Sequence, residues 1–145
     1  MGELMKERFA AIFIGSVMVL SVAGWALMQI APQDTGPEFS VPTIVTRELS
    51  SDEIVYVLQT GRVLIENFYT TNCTQCLEDM GVLESFAGQY DGFVVLEEVE
   101  ANYTKLEMIG MGGQIVELEH GNITFNGLLD IFCKIAIAQP PECLL

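Results

Sequence analysis

Two cysteines spaced by two residues stand between an apolar run and an amphipathic pattern, and this arrangement limits the possible folds more than any other feature. The run at residues 63–69 is nearly continuous in apolar residues, which predicts a central strand covered on both faces. After Cys73-Thr74-Gln75-Cys76, apolar residues recur at intervals of three and four as far as Tyr90, which predicts a helix with one buried face. The pattern therefore predicts an α/β domain with a CxxC turn between a buried strand and a helix.

The remaining segments complete the order β-α-β-α-β-β-β-α along the chain. Strands are predicted at residues 43–46, 93–99, 105–111 and 114–118, and further helices at residues 51–59 and 127–138. The strand–helix–strand units imply parallel strand pairs with helices on the faces. Gly112-Gly113 separates the last two strands, which indicates an antiparallel hairpin. We therefore expect a central mixed β-sheet flanked by helices.

The position of the CxxC pair at a helix N-terminus predicts redox chemistry. The first four amides of a helix lack intrahelical partners and the helix dipole is positive there, so both favour a thiolate at Cys73. Cys76 lies one turn later, on the buried face, where it is shielded from solvent. The exposed thiolate would attack a substrate disulfide, and the second cysteine would resolve the mixed disulfide. A structural Cys73–Cys76 disulfide without turnover is the alternative interpretation of the same motif.

Residues 63–101 resemble the thioredoxin superfamily almost without gaps, and a looser resemblance extends over residues 43–138. The shared features are the hydrophobic strand, the Phe68-Tyr69 pair, the CxxC motif, the amphipathic helix, Tyr90, Gly92 and the strand that follows. The resemblance implies a thioredoxin-like fold, with a central mixed sheet flanked by helices. It also identifies Cys73 as the nucleophile and Cys76 as the resolving cysteine.

The chain departs from the thioredoxin pattern at several positions around the motif. Asn72 replaces the Trp before the first cysteine, Asn67 replaces the buried aspartate that assists proton transfer, and Gly81 replaces the helix proline. Only residues 102–104 separate the third and fourth strands, where the family has a helix. No proline lies between residues 42 and 140, so the family's cis-proline beside the active site has no counterpart. These departures bear on substrate docking and on the reaction rate.

The N-terminal segment predicts one transmembrane helix. Residues 9–30 contain no charged side chain and, at ~1.5 Å rise per residue, span roughly 33 Å of hydrocarbon. Lys6 and Arg8 precede the segment and acidic residues flank its far end, so the near end is expected inside. A cleaved signal peptide is the alternative, although bulky residues stand where its cleavage site needs small ones. Under both interpretations, the C-terminal domain is expected to be exported.

The predicted organisation has four parts. They are a cytoplasmic N-terminus at residues 1–8, a transmembrane helix at residues 9–30, a linker at residues 31–42 and a thioredoxin-like domain at residues 43–145. Prolines and a glycine in the linker break regular structure. We therefore expect a single-pass protein of the cell membrane, with its N-terminus inside and its C-terminal domain outside the cytoplasm.

The two remaining cysteines, Cys133 and Cys143, predict a structural disulfide. Cys133 lies on the last predicted helix, and Pro140-Pro141 can turn the chain so that Cys143 approaches it. Closing this short loop would stabilise the domain by about 2–3 kcal/mol. Structural zinc sites usually need two closely spaced cysteine or histidine pairs, which the spacing from Cys133 to Cys143 does not provide. No metal and no cofactor is therefore predicted.

The acidic composition excludes one class of partner. The chain has 20 acidic and 6 basic residues and a net charge of −14, so it repels nucleic-acid phosphates and offers no basic stripe to offset that repulsion. Nucleic-acid binding is therefore not expected. Among the chemistry-bearing side chains outside the motif, Glu97, Glu98 and Glu100 are expected at a sheet edge or on the surface, and His120 in a solvated turn.

Two functions remain open from the sequence. The first is a membrane-tethered thiol–disulfide oxidoreductase that acts on cysteines of exported proteins through Cys73 and Cys76, and that exchanges electrons with a membrane thiol oxidase or reductase. The alternative is a non-catalytic thioredoxin-like binding module that keeps its disulfides for stability. The rate at which Cys73 is alkylated, compared with that of Cys76, distinguishes the two.

Overall fold

The computed structural model describes residues 40–144 of the chain. The predicted cytoplasmic segment at residues 1–8, the predicted transmembrane helix at residues 9–30 and the linker as far as residue 39 lie outside the described residues. Within residues 40–144, no helix has both the length and the apolar character that crossing a bilayer requires.

The helices and strands follow the predicted order. In sequence they are β1 (Ile44–Val45), α1 (Ser51–Gln59), β2 (Val63–Tyr69), α2 (Thr74–Gln89), β3 (Val94–Glu100), β4 (Lys105–Gly110), β5 (Gln114–Glu117), α3 (Phe125–Ile135) and a 3₁₀ helix (Pro141–Leu144). The order β-α-β-α-β-β-β-α is therefore confirmed, with a short 3₁₀ helix added after α3. β1 is shorter than predicted, because only two of its residues pair with β3.

The strands form one five-stranded sheet in the order β1-β3-β2-β4-β5. β1 and β2 both run parallel to β3, whereas β4 is antiparallel to β2 and β5 is antiparallel to β4. The predicted mixed sheet is confirmed. β2 occupies the centre, so the CxxC motif that follows it begins at the carboxyl end of the middle strand.

Helices cover both faces of the sheet, and successive residues of β2 contribute to different cores. On one side, which we call the α1 face, Leu64 packs in a cluster with Val57 of α1. On the other side, which we call the α2 face, Ile65 packs with Leu83 of α2 and Phe132 of α3. The side chains of β2 are buried on both faces from its first residue to its sixth, as the apolar run predicts.

The last helix begins and ends earlier than the predicted range of 127–138. Thr124 is its N-cap, and the Thr124 side-chain oxygen accepts a hydrogen bond from the Gly127 backbone N–H at 3.1 Å. Ala136 then takes an extended conformation with ψ 133°, which ends the helix at residue 135. The prediction placed the stop next to the two prolines, whereas the backbone leaves helical geometry before it reaches them.

The surface prediction for Glu97 and Glu98 is wrong. β3 lies between β1 and β2, so both of its faces are covered, and these two side chains are only 1% and 4% exposed. Glu97 faces the α1 side, where its Oε1 accepts a hydrogen bond from the Leu49 backbone N–H at 2.7 Å. Burial raises the pKa of Glu97 above its ordinary value. Glu100, at the end of the strand, is exposed.

Candidate active site

Cys73 and Cys76 form a disulfide at the N-terminus of α2. Cys73 is the N-cap residue, and its Sγ accepts a hydrogen bond from the Cys76 backbone N–H at an N–S distance of 3.1 Å. Cys73 is partly exposed, whereas Cys76 has no exposed surface. The two sulfurs therefore differ in access to solvent, and the outer one lies at the positive end of the helix dipole.

The backbone around the motif explains why the helix begins at this position. The Cys73 N–H donates to the Thr70 carbonyl at 3.0 Å, and the Leu77 N–H donates to the Cys73 carbonyl at 3.2 Å. The turn after β2 therefore leads directly into the first helical hydrogen bond. The first turn of α2 contains no acidic residue, so none of its side chains opposes a negative charge on the Cys73 sulfur.

The loop that contains His120 and Gly121, which we call the histidine loop, packs against α2. The prediction of a solvated His120 is therefore wrong. Asp79, one turn after Cys76 and only 5% exposed, holds this loop through one carboxylate oxygen. Its Oδ2 lies 3.1 Å from His120 Nδ1 and accepts a hydrogen bond from the Gly121 N–H at 2.8 Å. His120 Nε2 is buried and has no hydrogen-bond partner within residues 40–144. The loop is thereby fixed to the buried side of α2.

Gly121 brings this loop against the CxxC motif itself. Its φ is +86°, in the region that favours glycine, and a Cβ there would lie 2.9 Å from Cδ of Gln75. Gln75 is the second of the two residues between the cysteines, so the loop touches the turn that carries the disulfide. One signal in the sequence could have indicated the contact. Asp79 is an acid on the otherwise apolar face of the helix, and such a residue needs a polar partner.

A buried polar pair lies on the α2 face of the sheet. Asn67 of β2 has no exposed surface and is the cross-strand neighbour of Glu98 in β3. Both polar atoms of the Asn67 side chain, and Oε1 of Glu98, lack a hydrogen-bond partner in the described part of the chain. Burial, together with repulsion from Glu84 of α2, raises the pKa of Glu98 to about 7.

A charged cluster lies on the opposite, α1 face near the end of β2. Lys105 Nζ is 2.8 Å from a carboxylate oxygen of Glu66 and 2.9 Å from one of Glu107. The hydrogen bond with Glu66 is the main reason that the pKa of Lys105 rises above its ordinary value. The ammonium also lies 5.7 Å from the ring centroid of Phe68, which stacks on Tyr103 at 5.5 Å. Tyr103 belongs to the short connection that precedes β4.

The tail cysteines also form a disulfide, which joins α3 to the 3₁₀ helix. The Cα atoms of Cys133 and Cys143 are 5.3 Å apart. The Cys143 N–H donates to the Pro140 carbonyl at 3.0 Å, and the Gln139 side-chain N–H donates to the Cys133 carbonyl at 2.7 Å. The disulfide therefore closes a turn that these two hydrogen bonds also stabilise. Among the described residues, no three His, Cys, Asp or Glu side chains are grouped as a metal site requires.

No family model and no curated protein matches the chain. Several solved structures do match, all at low sequence identity. Chloroplastic thioredoxin z is 18% identical, with a TM-score of 0.50, and the match covers 63% of this chain and 94% of that one. A mutant thioredoxin from Halobacterium salinarum is 19% identical, with a TM-score of 0.49 and coverages of 69% and 95%. The reduced thioredoxin pre-protein of Schistosoma mansoni is 12% identical, with a TM-score of 0.48 and coverages of 63% and 97%. The likeness to thioredoxin z shows that the chain has the thioredoxin fold.

Proposed function

We propose that the protein is a thiol–disulfide oxidoreductase in which Cys73 attacks and Cys76 resolves. The observation that carries this proposal is the asymmetry of the pair. The Cys73 sulfur is partly exposed and accepts the Cys76 N–H at the N-terminus of α2, whereas Cys76 is fully enclosed. A substrate disulfide can therefore reach only one of the two sulfurs, and that sulfur is the one whose thiolate the helix stabilises.

The reaction proceeds by two exchanges at sulfur. In the reduced protein, the Cys73 thiolate attacks one sulfur of a substrate disulfide, and the other substrate sulfur leaves as a thiolate. Cys76 then attacks the Cys73 sulfur, so that the Cys73–Cys76 bond forms and the remaining substrate sulfur leaves with its electron pair. The substrate gains two electrons and the protein loses them. The reverse sequence oxidises a substrate dithiol.

The membrane attachment and the substrates are part of the same proposal. Residues 9–30 would anchor the domain, with residues 1–8 in the cytoplasm, because the segment is uncharged and basic residues precede it. The substrates would then be cysteine-containing exported proteins, and the electron partner a membrane thiol oxidase or reductase. The placement of Cys133 and Cys143 suits a structural disulfide, a bond that an oxidising extracytoplasmic compartment would maintain.

A trapping experiment tests the assignment of the two cysteines. Cys76→Ser should accumulate mixed disulfides with client proteins, because attack by Cys73 still occurs and resolution does not. Cys73→Ser should accumulate almost none, since the remaining thiol is enclosed. The readout is the set of high-mass bands on a non-reducing gel that disappear on reduction. Cys143→Ser serves as the control, because it also frees one thiol but lies outside the motif.

The same gel decides between the enzyme and the non-catalytic binding module. Trapping by Cys76→Ser alone supports the enzyme. Equal trapping by both motif variants, or by neither, would contradict the nucleophile assignment and favour a module whose Cys73–Cys76 bond only stabilises the fold.

A further inference from the structure

Three of the five asparagines in the chain begin a triplet of the form Asn-x-Thr. The triplets are Asn72-Cys73-Thr74, Asn102-Tyr103-Thr104 and Asn122-Ile123-Thr124. Serine and threonine together make up 15 of the 145 residues, so chance alone would give fewer than one such triplet among five asparagines. This triplet is the acceptor motif for N-linked glycans, which are found on surface loops of exported proteins.

All three of these asparagines lie in exposed loops between helices and strands. The two asparagines outside the triplets differ, because Asn67 lies in β2 with no exposed surface and Asn126 lies within α3. A glycan is bulky and solvated, so the asparagine that carries it needs a side chain that reaches solvent. The asparagines that begin a triplet are therefore also the ones that lie in exposed loops.

The three loops lie at one end of the sheet. They follow β2, β3 and β5, and these strands run in the same direction, because β2 is parallel to β3 and β4 is antiparallel to both β2 and β5. Asn72, Asn102 and Asn122 therefore all lie beyond the carboxyl ends of these strands. This is the end of the sheet at which the CxxC motif follows β2.

The loop of Asn102 is joined to the strand that leads into the motif. The Ala101 N–H donates to the Tyr69 carbonyl at 2.8 Å, and Tyr69 is the last residue of β2. Tyr103 stacks on Phe68 with the ring centroids 5.5 Å apart. These contacts hold the loop against the end of β2, on the α1 face of the sheet.

The loop of Asn122 touches the motif from the other face. Its neighbour Gly121 lies so close to the motif that a Cβ on this glycine would be 2.9 Å from Cδ of Gln75. The Gly121 N–H donates to the buried carboxylate of Asp79 in α2 at 2.8 Å, which fixes the loop on the α2 face. The motif therefore lies between the two loops.

We propose that Asn102 and Asn122 carry N-linked glycans and that Asn72 carries none, so that two glycans flank the CxxC motif. The inference rests on the proposed function, in which the domain is exported. Asn72 is treated differently because it directly precedes the attacking cysteine, and a glycan there would cover the sulfur that must meet the substrate disulfide.

The modification is a group transfer from a lipid-linked oligosaccharide diphosphate, catalysed by a membrane glycosyltransferase. The asparagine amide nitrogen attacks the anomeric carbon of the first sugar. The carbon–nitrogen bond forms, the bond from that carbon to the diphosphate oxygen breaks, and the lipid diphosphate leaves with the electron pair. The amide nitrogen loses one proton, and nothing is oxidised or reduced.

The experiment is translation of the full chain in the presence of sealed microsomes, which supply both the transferase and the lipid-linked oligosaccharide. Protease added outside the vesicles reports whether the C-terminal domain has entered them. An amidase that removes N-linked glycans identifies the gel shifts that glycans cause. The protease-protected protein should migrate two glycan steps above its amidase-treated form.

Asn102→Gln and Asn122→Gln should each lose one glycan step, and the double variant should lose both. Thr104→Ala should lose the same step as Asn102→Gln, whereas Thr104→Ser preserves the acceptor triplet and should keep it. Asn126→Gln is the matched control, because it makes the same chemical change at an asparagine outside the triplets. This control and Asn72→Gln should both keep the two steps.

Peptide mapping assigns each glycan to its asparagine. Amidase release in heavy-oxygen water converts every glycosylated asparagine to a labelled aspartate before digestion with trypsin. The tryptic peptide of residues 63–105 contains Asn72 and Asn102, and that of residues 106–134 contains Asn122. Fragment masses then locate the label within each peptide.

Protected chains that lack a glycan at Asn102 or at Asn122 would overturn the inference alone, because the domain would have entered the vesicles and stayed unmodified there. Degradation of the domain in intact vesicles would contradict the exported location in the proposed function, and the inference with it. A glycan at Asn72 on most chains would overturn the inference and would also contradict the assignment of Cys73 as the accessible sulfur.

Discussion

The burial of Glu98 has a consequence for stability that can be worked from its pKa. Burial raises that pKa from the ordinary value of 4.5 to about 7, whereas the unfolded chain ionises near the ordinary value. At ~1.4 kcal/mol for each unit, the shift corresponds to about 3 kcal/mol. Because the folded pKa is the higher one, the folded state holds the protonated carboxyl more readily than the ionised one. The free energy of unfolding therefore has its full value below the unfolded pKa, and this contribution is lost as the pH rises through about 7.

Glu98→Gln isolates this contribution, because glutamine keeps the size of the side chain and cannot ionise. Near pH 4 the difference in free energy of unfolding between the variant and the wild type should not change with pH, because the carboxyl is protonated in both the folded and the unfolded state. From about pH 5 to about pH 8 the variant should become more stable relative to the wild type by about 3 kcal/mol. Urea unfolding of both oxidised proteins across this range measures the difference, and other titrating groups cancel because both proteins contain them.

Glu78→Gln is the matched control, since it makes the same chemical change at an exposed position of α2. It should show no comparable dependence on pH. A difference between Glu98→Gln and the wild type that does not change with pH would refute the reasoning, because the carboxyl would then have the same pKa in the folded and unfolded states.

The other predictions concern the tail, the histidine loop, the first helix and the topology. Cys143→Ser should lower the free energy of unfolding by about 3 kcal/mol, measured in urea, and leave the reduction of small disulfides unchanged. His120→Ala should cost about 1–3 kcal/mol in the same assay, because buried Asp79 loses a polar partner. Ser50→Ala should cost about 1 kcal/mol, because it removes the capping box of α1. A membrane-impermeant maleimide should label the reduced domain on intact cells if residues 9–30 span the membrane with the domain outside.

Each of these predictions has an outcome that contradicts it. If Cys143→Ser loses disulfide-reducing activity as well as stability, this result would indicate that the tail pair is part of an electron relay. Unchanged stability of His120→Ala would mean that the contact with Asp79 contributes nothing, and Thr104→Ala, on the loop before β4, supplies a comparison away from it. Ser50→Ala can be compared with Ser85→Ala, at an exposed position within α2. Labelling that requires opening the cells would place the domain inside.

The fold could be predicted because its signals are local. The apolar run of β2, the three-and-four spacing of α2 and the paired glycines before β5 each depend on residues close together in the chain. The location of Cys73 at the start of a helix follows from the same patterns. The order of strands in the sheet is set by contacts between distant segments, so the sequence did not reveal that β3 is an inner strand.

This limit explains which parts of the candidate site were missed. Glu97 and Glu98 look like a polar strand edge in the sequence, and only the pairing of β3 with both β1 and β2 shows that they are buried. His120 looks like an isolated turn residue, because its partner Asp79 lies 41 positions earlier. The local signal that remained was an acid on the apolar face of α2, and that signal does not say which distant residue would pair with it.

The most direct test of the central claim is the ratio of the alkylation rates of Cys73 and Cys76 in the reduced full chain at neutral pH. Limiting iodoacetamide, rapid quenching and sequencing of the peptide of residues 63–105 assign the label to one sulfur or the other. The structure predicts that Cys73 is alkylated much faster, on the order of ten-fold or more, because its thiolate is accessible and stabilised by the helix. Equal rates at the two sulfurs, or faster labelling of Cys76, would contradict the assignment of Cys73 as the attacking cysteine.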